Sequence, residues 1–240
     1  MLNEENLKAC QKIIRYRFIH RDLLELALRH RSLSGMKGED HLNNERLEFL
    51  GDAVLNFLVS EFLYHTFPDR QEGYLSKLKA TLVSRSLLSS LIRQQNLHQF
   101  IQLSEGEQIT GGRERLSILA NLYEALLGAI YLDGGIIEAH AFVQFTLLDN
   151  FDDYVSSQDY HNYKSLLLEY VQGKMKIQPL YQVTEESGPD HNKTFSVRVS
   201  INQQEWGSGQ GKSKKLAEQN AAKNALIRRK IIQTDHPFDL

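Results

Sequence analysis

The sequence predicts an all-α domain followed by a small α+β domain of order α-β-β-β-α. Three observations predict it. Apolar residues recur at helical spacing through residue 155, without convincing β-alternation. Alternation then sets in, with Gly and Pro at a turn. Charge changes sign at the same place: residues 1–159 hold 16 Lys and Arg against 22 Asp and Glu, and residues 160–230 hold 12 against 6.

The helical half divides as follows. RDLLELALRH (21–30) carries Leu23, Leu24, Ala27 and Leu28 on one face. Residues 43–65 form the next helix, and Pro68 ends it before a third over 72–96. The third has a stripe of Leu75, Leu78 and Leu82, then Leu87, Leu88 and Leu91. RLSILANLYEALLGAIYL (115–132) is the fourth, stopped by Asp133-Gly134-Gly135, and residues 136–151 are the fifth.

Polar residues then mark a linker over 153–161, between a domain over 1–152 and one over 162–230. In the second domain YKSLLLEYVQGK (163–174) is helical. LYQVTEES, KTFSVRVSI and QQEWGSG are strands, and Gly188-Pro189-Asp190 is a turn. KSKKLAEQNAAKNALIRRK (212–230) returns to helix, and 231–240 is a tail.

Composition narrows the classes. No apolar run reaches the length of a membrane span, and the N-terminus lacks an apolar signal core, so no membrane association is expected. A lone Cys10 excludes a disulfide framework and favours a cytoplasmic location. Nine scattered His and no Cys cluster speak against zinc. The basic second domain fits a polyanion.

Acids placed in the apolar helix 43–65 ask for a reason. Glu45, Glu48 and Asp52 lie at i, i+3 and i+7, on one stripe. They repel one another there, and Gly51 and Asp52 each cost roughly 0.5–1 kcal/mol of helix propensity relative to Ala. Helix-dipole chemistry, with Asn43 or Asn44 as cap, accounts for Glu45 and tolerably for Glu48. It does not account for Asp52. A second pair, Asn121 and Glu124, sits at i and i+3 among small and apolar residues of the fourth helix. A lone buried carboxylate is costly unless paired or coordinated. Oxygen donors from two packed helices suit Mg²⁺, and a pair of such ions can align water and a leaving oxygen in phosphodiester hydrolysis.

These segments resemble the ribonuclease III family. ERLEFLGDAVL (45–55) resembles its signature, ALRHRS (27–32) its upstream segment, and GGRERLSILANLYEALLGAIYLDGG (111–135) its second acidic segment. The α-β-β-β-α order resembles a double-stranded RNA-binding domain. The resemblance implies a Mg²⁺-dependent endoribonuclease of double-stranded RNA, with Mn²⁺ as a substitute. It implies catalytic roles for Asp52 and Glu124, and metal ligation by Glu48, Asp52, Asn121 and Glu124. Glu45 and Glu72 match accessory acids. It also implies a homodimer with Phe49 at the interface, 5′-phosphate and 3′-hydroxyl ends, and substrates among ribosomal, messenger and transfer RNA precursors. One departure is Asn121, where the family usually has Asp. Asn keeps an oxygen donor but removes a charge. Activity with a raised Mg²⁺ requirement is one expectation. A non-catalytic duplex-RNA binder is the alternative.

For the basic domain, A-form RNA is read through its phosphates and 2′-hydroxyls over about 16 base pairs. Lys164, Ser165 and Glu169 on the first helix suit one minor groove. His191 in the loop GPDHNK (188–193) suits a second. Lys212, Lys214 and Lys215 stand at a helix N-terminus that favours phosphate. Leu168 stands where the family often has Gln. WGSGQGKS (206–213) falls short of a P-loop because Trp206 occupies the first glycine position.

Overall fold

A computed structural model describes residues 3–33, 42–156, 163–189 and 193–232. The chain divides into two compact units, 1–160 and 161–240.

The first unit is helical: α1 (Glu4–Ile14), α2 (Arg21–Ala27), α3 (Glu45–Thr66), α4 (Glu72–Leu82), α5 (Arg85–Gln94), α6 (Glu105–Ile109), α7 (Leu116–Thr146) and α8 (Phe151–Ser156). Its centre is α7, packed most extensively on α3, then on α5 and α2. Leu119, Leu122, Tyr123, Leu126 and Ile130 of α7 are buried, as are Leu55 and Leu58 of α3 and Leu88 of α5. By length and composition α7 is apolar enough to cross a bilayer. Here it is the core helix of this unit.

Two sequence expectations change. The helix expected over 72–96 is two, because Ser84 caps α5 by accepting from the Leu87 N–H. A serine offering its own side chain to the backbone ends one helix and starts the next. The break at Asp133-Gly134-Gly135 lies where the sequence places it: Gly135 takes a non-helical φ of 77°, so the run Leu116–Thr146 is two helices meeting at a kink. Residues 153–156, expected in the linker, lie in α8. Residues 157–162 and 233–240, covering the rest of that linker and most of the tail, fall outside the described residues.

The second unit runs α9 (Tyr163–Met175), β1 (Leu180–Ser187), β2 (Thr194–Ile201), β3 (Gln204–Gly211) and α10 (Lys214–Arg228). The sheet is antiparallel in the order β1-β2-β3. Asn202 and Gln203 join β2 to β3, both at positive φ (50° and 64°), as a two-residue hairpin favours. Trp206, Val197, Val199, Leu167 and Leu226 centre its core. Gly207, Gly209 and Gly211 explain the near-miss P-loop. A Cβ at these positions would fall 2.5, 2.3 and 2.6 Å from backbone nitrogens of Ala225, Ala221 and Ala217. The glycines let α10 lie directly on β3, with Ala on the helix side of the contact.

Candidate active site

The acidic site is built where α3 crosses α7. A Cβ at Gly51 would fall 1.8 Å from the Glu124 carbonyl oxygen, and one at Gly128 2.3 Å from the Leu47 carbonyl oxygen. Two glycines thus let the helix backbones touch, Gly51 next to Asp52 in the chain and Gly128 one helical turn beyond Glu124. This close crossing sets Glu48 and Asp52 against Asn121 and Glu124.

Both candidate cap residues tie down the N-terminus of α3, in different ways. Asn44 occupies the cap position but makes no side-chain cap bond. Its amide donates to the Ala27 carbonyl (3.3 Å), and its N–H donates to the Arg29 carbonyl (2.9 Å). Asn43 instead accepts from the Glu45 N–H at 2.9 Å. Asn44 therefore anchors α3 to the end of α2, and Asn43 satisfies the first N–H of α3.

Electrostatics records the crowding. Burial pushes Glu124 up, and the carboxylates of Asp52 and Glu48 push it further, to about 7, against the pull of Arg85. Burial and Glu45 also raise Glu48, while an Asn121 side-chain hydrogen bond, Arg85 and Arg31 oppose the rise. Asn121 donates that bond, since a carboxylate only accepts. Asp52 accepts from the Asn56 amide at 3.0 Å.

A cleft of about 270 Å³ opens beside the crossing, lined by Glu45, Glu48 and Asn121 together with His30, Glu107 and Arg115. Arg31 pairs with Glu45 at 3.2 Å, and Arg115 with Glu107 at 2.5 Å. Burial lowers His30 below the usual imidazole range, and its Nδ1 lies 3.0 Å from the Ser32 hydroxyl.

The four central side chains are neighbours across the crossing, not a closed shell. Among the described residues, no three His, Cys, Asp or Glu side chains converge enough to hold a metal ion. The donor chemistry nevertheless fits a hard divalent cation: three carboxylates and one amide, with Glu124 raised by burial and by the charges facing it. Glu72 is placed apart, in the first turn of α4, where it accepts from the Ser76 hydroxyl at 2.5 Å. It does not line the cleft.

Sequence reasoning missed His30, Arg85, Glu107 and Arg115 as neighbours of the acids. ALRHRS carried a signal for His30 and GGRERLSILANLYEALLGAIYLDGG one for Arg115; Arg85 and Glu107 come from separate segments without helical phase to the acids.

In the second unit, Ser165, Glu169 and Leu168 are on the exposed side of α9. Lys164 is half-buried and ion-paired to Glu218 at 2.6 Å. Ser213 caps α10 by accepting from the Leu216 N–H. Lys212, Lys214 and Lys215 are exposed around that N-terminus, Lys214 paired with Glu186 at 2.8 Å. His191 lies outside the described residues.

Comparison with known proteins matches this division. Residues 20–151 fit the ribonuclease-III-like family and residues 163–228 the double-stranded RNA binding motif. Ribonuclease 3 of Treponema denticola is 43% identical over 92% of this chain and 90% of its own length. Ribonuclease 3 of Borreliella burgdorferi is 46% identical over 87% of this chain and 85% of its own. The nuclease domain of Campylobacter jejuni ribonuclease III superposes with a TM-score of 0.56 at 40% identity, covering 60% of this chain and 98% of that domain. An acidic helix crossing in one unit and an RNA-binding motif in the next, in a chain this similar to such relatives, place it in one group: the chain belongs to the ribonuclease III family.

Proposed function

We propose that this protein is an endoribonuclease that hydrolyses phosphodiester bonds of double-stranded RNA, leaving 5′-phosphate and 3′-hydroxyl ends. The observation that carries the reading is the glycine-permitted crossing that sets Glu48 and Asp52 against Asn121 and Glu124. These four residues would hold Mg²⁺, or Mn²⁺ in its place. The cation, when bound, supplies positive charge and Lewis acidity at the scissile phosphate.

The chain's own groups do the rest. Asn121 orients the Glu48 carboxylate through its amide. Glu124 holds or releases a proton near neutral pH. Arg85 offers positive charge beside both carboxylates. The RNA-binding motif contributes affinity that is largely independent of sequence and falls with salt. Ser165, Glu169, His191, Lys212, Lys214 and Lys215 form its contact surface, with Lys164 held by Glu218 at the edge.

The working form is a homodimer with two sites, one for each strand. Phe49 on α3 is 80% exposed, with Tyr64 and Phe57 further along the helix at 69% and 54%. An apolar face of that size on a core helix favours a covering partner. The Campylobacter jejuni domain has a region involved in dimer formation. The protein acts in the cytoplasm on ribosomal, messenger and transfer RNA precursors. Its single Cys10, buried without a disulfide, suits a reducing compartment. A non-catalytic binder is not favoured: Asn121 is engaged with Glu48, and three carboxylates remain.

End-labelled duplex RNA, incubated with wild type and Glu124→Ala over a Mg²⁺ series, tests the reading. Wild type cuts and the variant does not. Intact duplex at every Mg²⁺ and Mn²⁺ concentration with folded wild type would overturn it.

A further inference from the structure

A cleft of about 590 Å³ lies between α1 and the segment that follows it, lined by Lys8, Lys12, Arg15, Arg17 and Arg21 against one acid, Glu4. It belongs to the acidic half of the sequence, where 22 Asp and Glu outnumber 16 Lys and Arg. Helix spacing brings Lys8, Lys12 and Arg15 onto one side of α1 at i, i+4 and i+7. The chain then turns at Arg15, whose left-handed φ of 56° is a conformation glycine adopts far more readily at a helix end. That turn carries Arg17 and Arg21 to the same cleft.

Local pairing covers only part of this charge. Glu4 serves both Lys8, at 3.5 Å, and Arg21, which also pairs with Glu25 at 2.9 Å. Arg15 lies 3.8 Å over the Phe145 ring. Among the described residues, no acidic side chain pairs with Lys12 or Arg17. The segment is also held rigidly. The Phe18 N–H donates to the Gln11 amide oxygen, and the Tyr16 hydroxyl and the Ile19 and His20 N–H groups all donate to Asp133, each at 2.8 Å. Gathered cations on a fixed scaffold, with a non-glycine residue in a costly conformation, are arranged against an outside anion rather than for stability.

We propose that this cleft is a second phosphate-contact site for duplex RNA, separate from the acidic crossing and from the RNA-binding motif. It rests on the duplex-RNA reading above and extends the footprint beyond the length that one such motif spans. Lys12 and Arg17 contact backbone phosphates, and Arg15 adds its guanidinium charge at the turn between them.

The test is binding by the full chain, in Ca²⁺, to a duplex of about 16 base pairs and to one about twice as long, across a salt series. On the longer duplex, Lys12→Gln/Arg17→Gln lowers the slope of log affinity against log salt by about 2 and weakens binding several-fold. On the shorter duplex it binds as wild type does. Arg15→Gly weakens long-duplex binding in the same direction without lowering the melting temperature. Unchanged slope and affinity on the long duplex, while wild type binds normally, overturns the proposal, as does equal loss on both lengths. Loss of binding to polyglutamate alone assigns the cleft to an acidic protein and also overturns it. Wild type that binds neither duplex defeats the duplex-RNA reading itself.

Discussion

Gly51 lies against the backbone of Glu124: a Cβ at position 51 would fall 1.8 Å from the Glu124 carbonyl oxygen and 3.0 Å from the Gly128 nitrogen. The contact is backbone on backbone, so no rotamer change relieves it. Gly51→Ala therefore drives α3 and α7 apart and separates Glu48 and Asp52 from Asn121 and Glu124. Overpacking of this kind costs about 1–3 kcal/mol. The expected outcome is a lowered melting temperature and near-complete loss of duplex cleavage. An alanine variant that melts and cuts like wild type would contradict the crossing.

Glu124 makes the cation-free protein pH-sensitive. Its folded-state value, about 7, lies above the ordinary 4.5, so the folded protein holds a proton that the unfolded chain has released. The contribution is fully present below 4.5 and is lost as pH rises through 7. Cation-free wild type is thus less stable at pH 8 than at pH 5 by this contribution, and Glu124→Gln removes that part of the slope. Thermal melts in EDTA at the two pH values measure it. Equal slopes in the two proteins would mean that Glu124 does not carry the proton.

Asn121 sets the charge of the site. Asn121→Asp removes the amide that donates to Glu48 and adds a fourth carboxylate. The cation-free variant melts lower than wild type, because like charges now face one another without the bond. Its cleavage reaches half-maximum at lower Mg²⁺, because the donor set carries one more negative charge. Titrating Mg²⁺ against initial cleavage rate checks this. An unchanged requirement would remove Asn121 from the cation's surroundings.

The pairs on each helix were legible because helical spacing is fixed: Glu48 and Asp52 must share a face, and so must Asn121 and Glu124. That the two faces meet was not legible from spacing. Gly51 and Gly128 create the meeting, yet in sequence Gly51 reads only as a poor helix former. Arg85 was invisible for a related reason. It starts α5, a helix whose separate existence depends on the Ser84 cap, and the leucine stripe runs across that break without a signal. In the second unit, alternation disclosed the strands. The glycines of β3 fell short of a phosphate loop already in sequence, but what they do, fitting β3 against α10, was not legible there.

Asp133 joins the kink of α7 to the segment after α1 by accepting three hydrogen bonds at 2.8 Å, from Tyr16, Ile19 and His20. Those bonds outweigh desolvation and hold its carboxyl below the ordinary 3.8. A lowered acid adds stability above that value and loses it as pH falls through the folded-state value. Asp133→Ala removes the acceptor of three hydrogen bonds, two of them exposed so that water replaces it in part, and costs about 1 kcal/mol. Melts of the variant and wild type at neutral pH give the loss, and the gap narrows below pH 3.8. A pH-independent gap would show that the carboxylate charge plays no part.

Gly209 separates binding from cleavage chemistry. A Cβ there would fall 2.3 Å from the Ala221 nitrogen and 2.5 Å from the Asn220 carbonyl carbon, so Gly209→Val lifts α10 from β3. Lys214 and Lys215, on the first turn of α10, and Lys212 just before it, then lose their fixed positions relative to α9. The nuclease unit has its own core and is untouched by the change. The expected outcome is at least ten-fold weaker duplex binding at moderate salt, with a smaller salt slope because phosphate contacts are lost. Cleavage at low salt and high RNA concentration persists, because the acidic crossing remains intact. Loss of cleavage under every condition, with the nuclease unit still folded by circular dichroism, would show that the RNA-binding unit takes part in the chemical step itself.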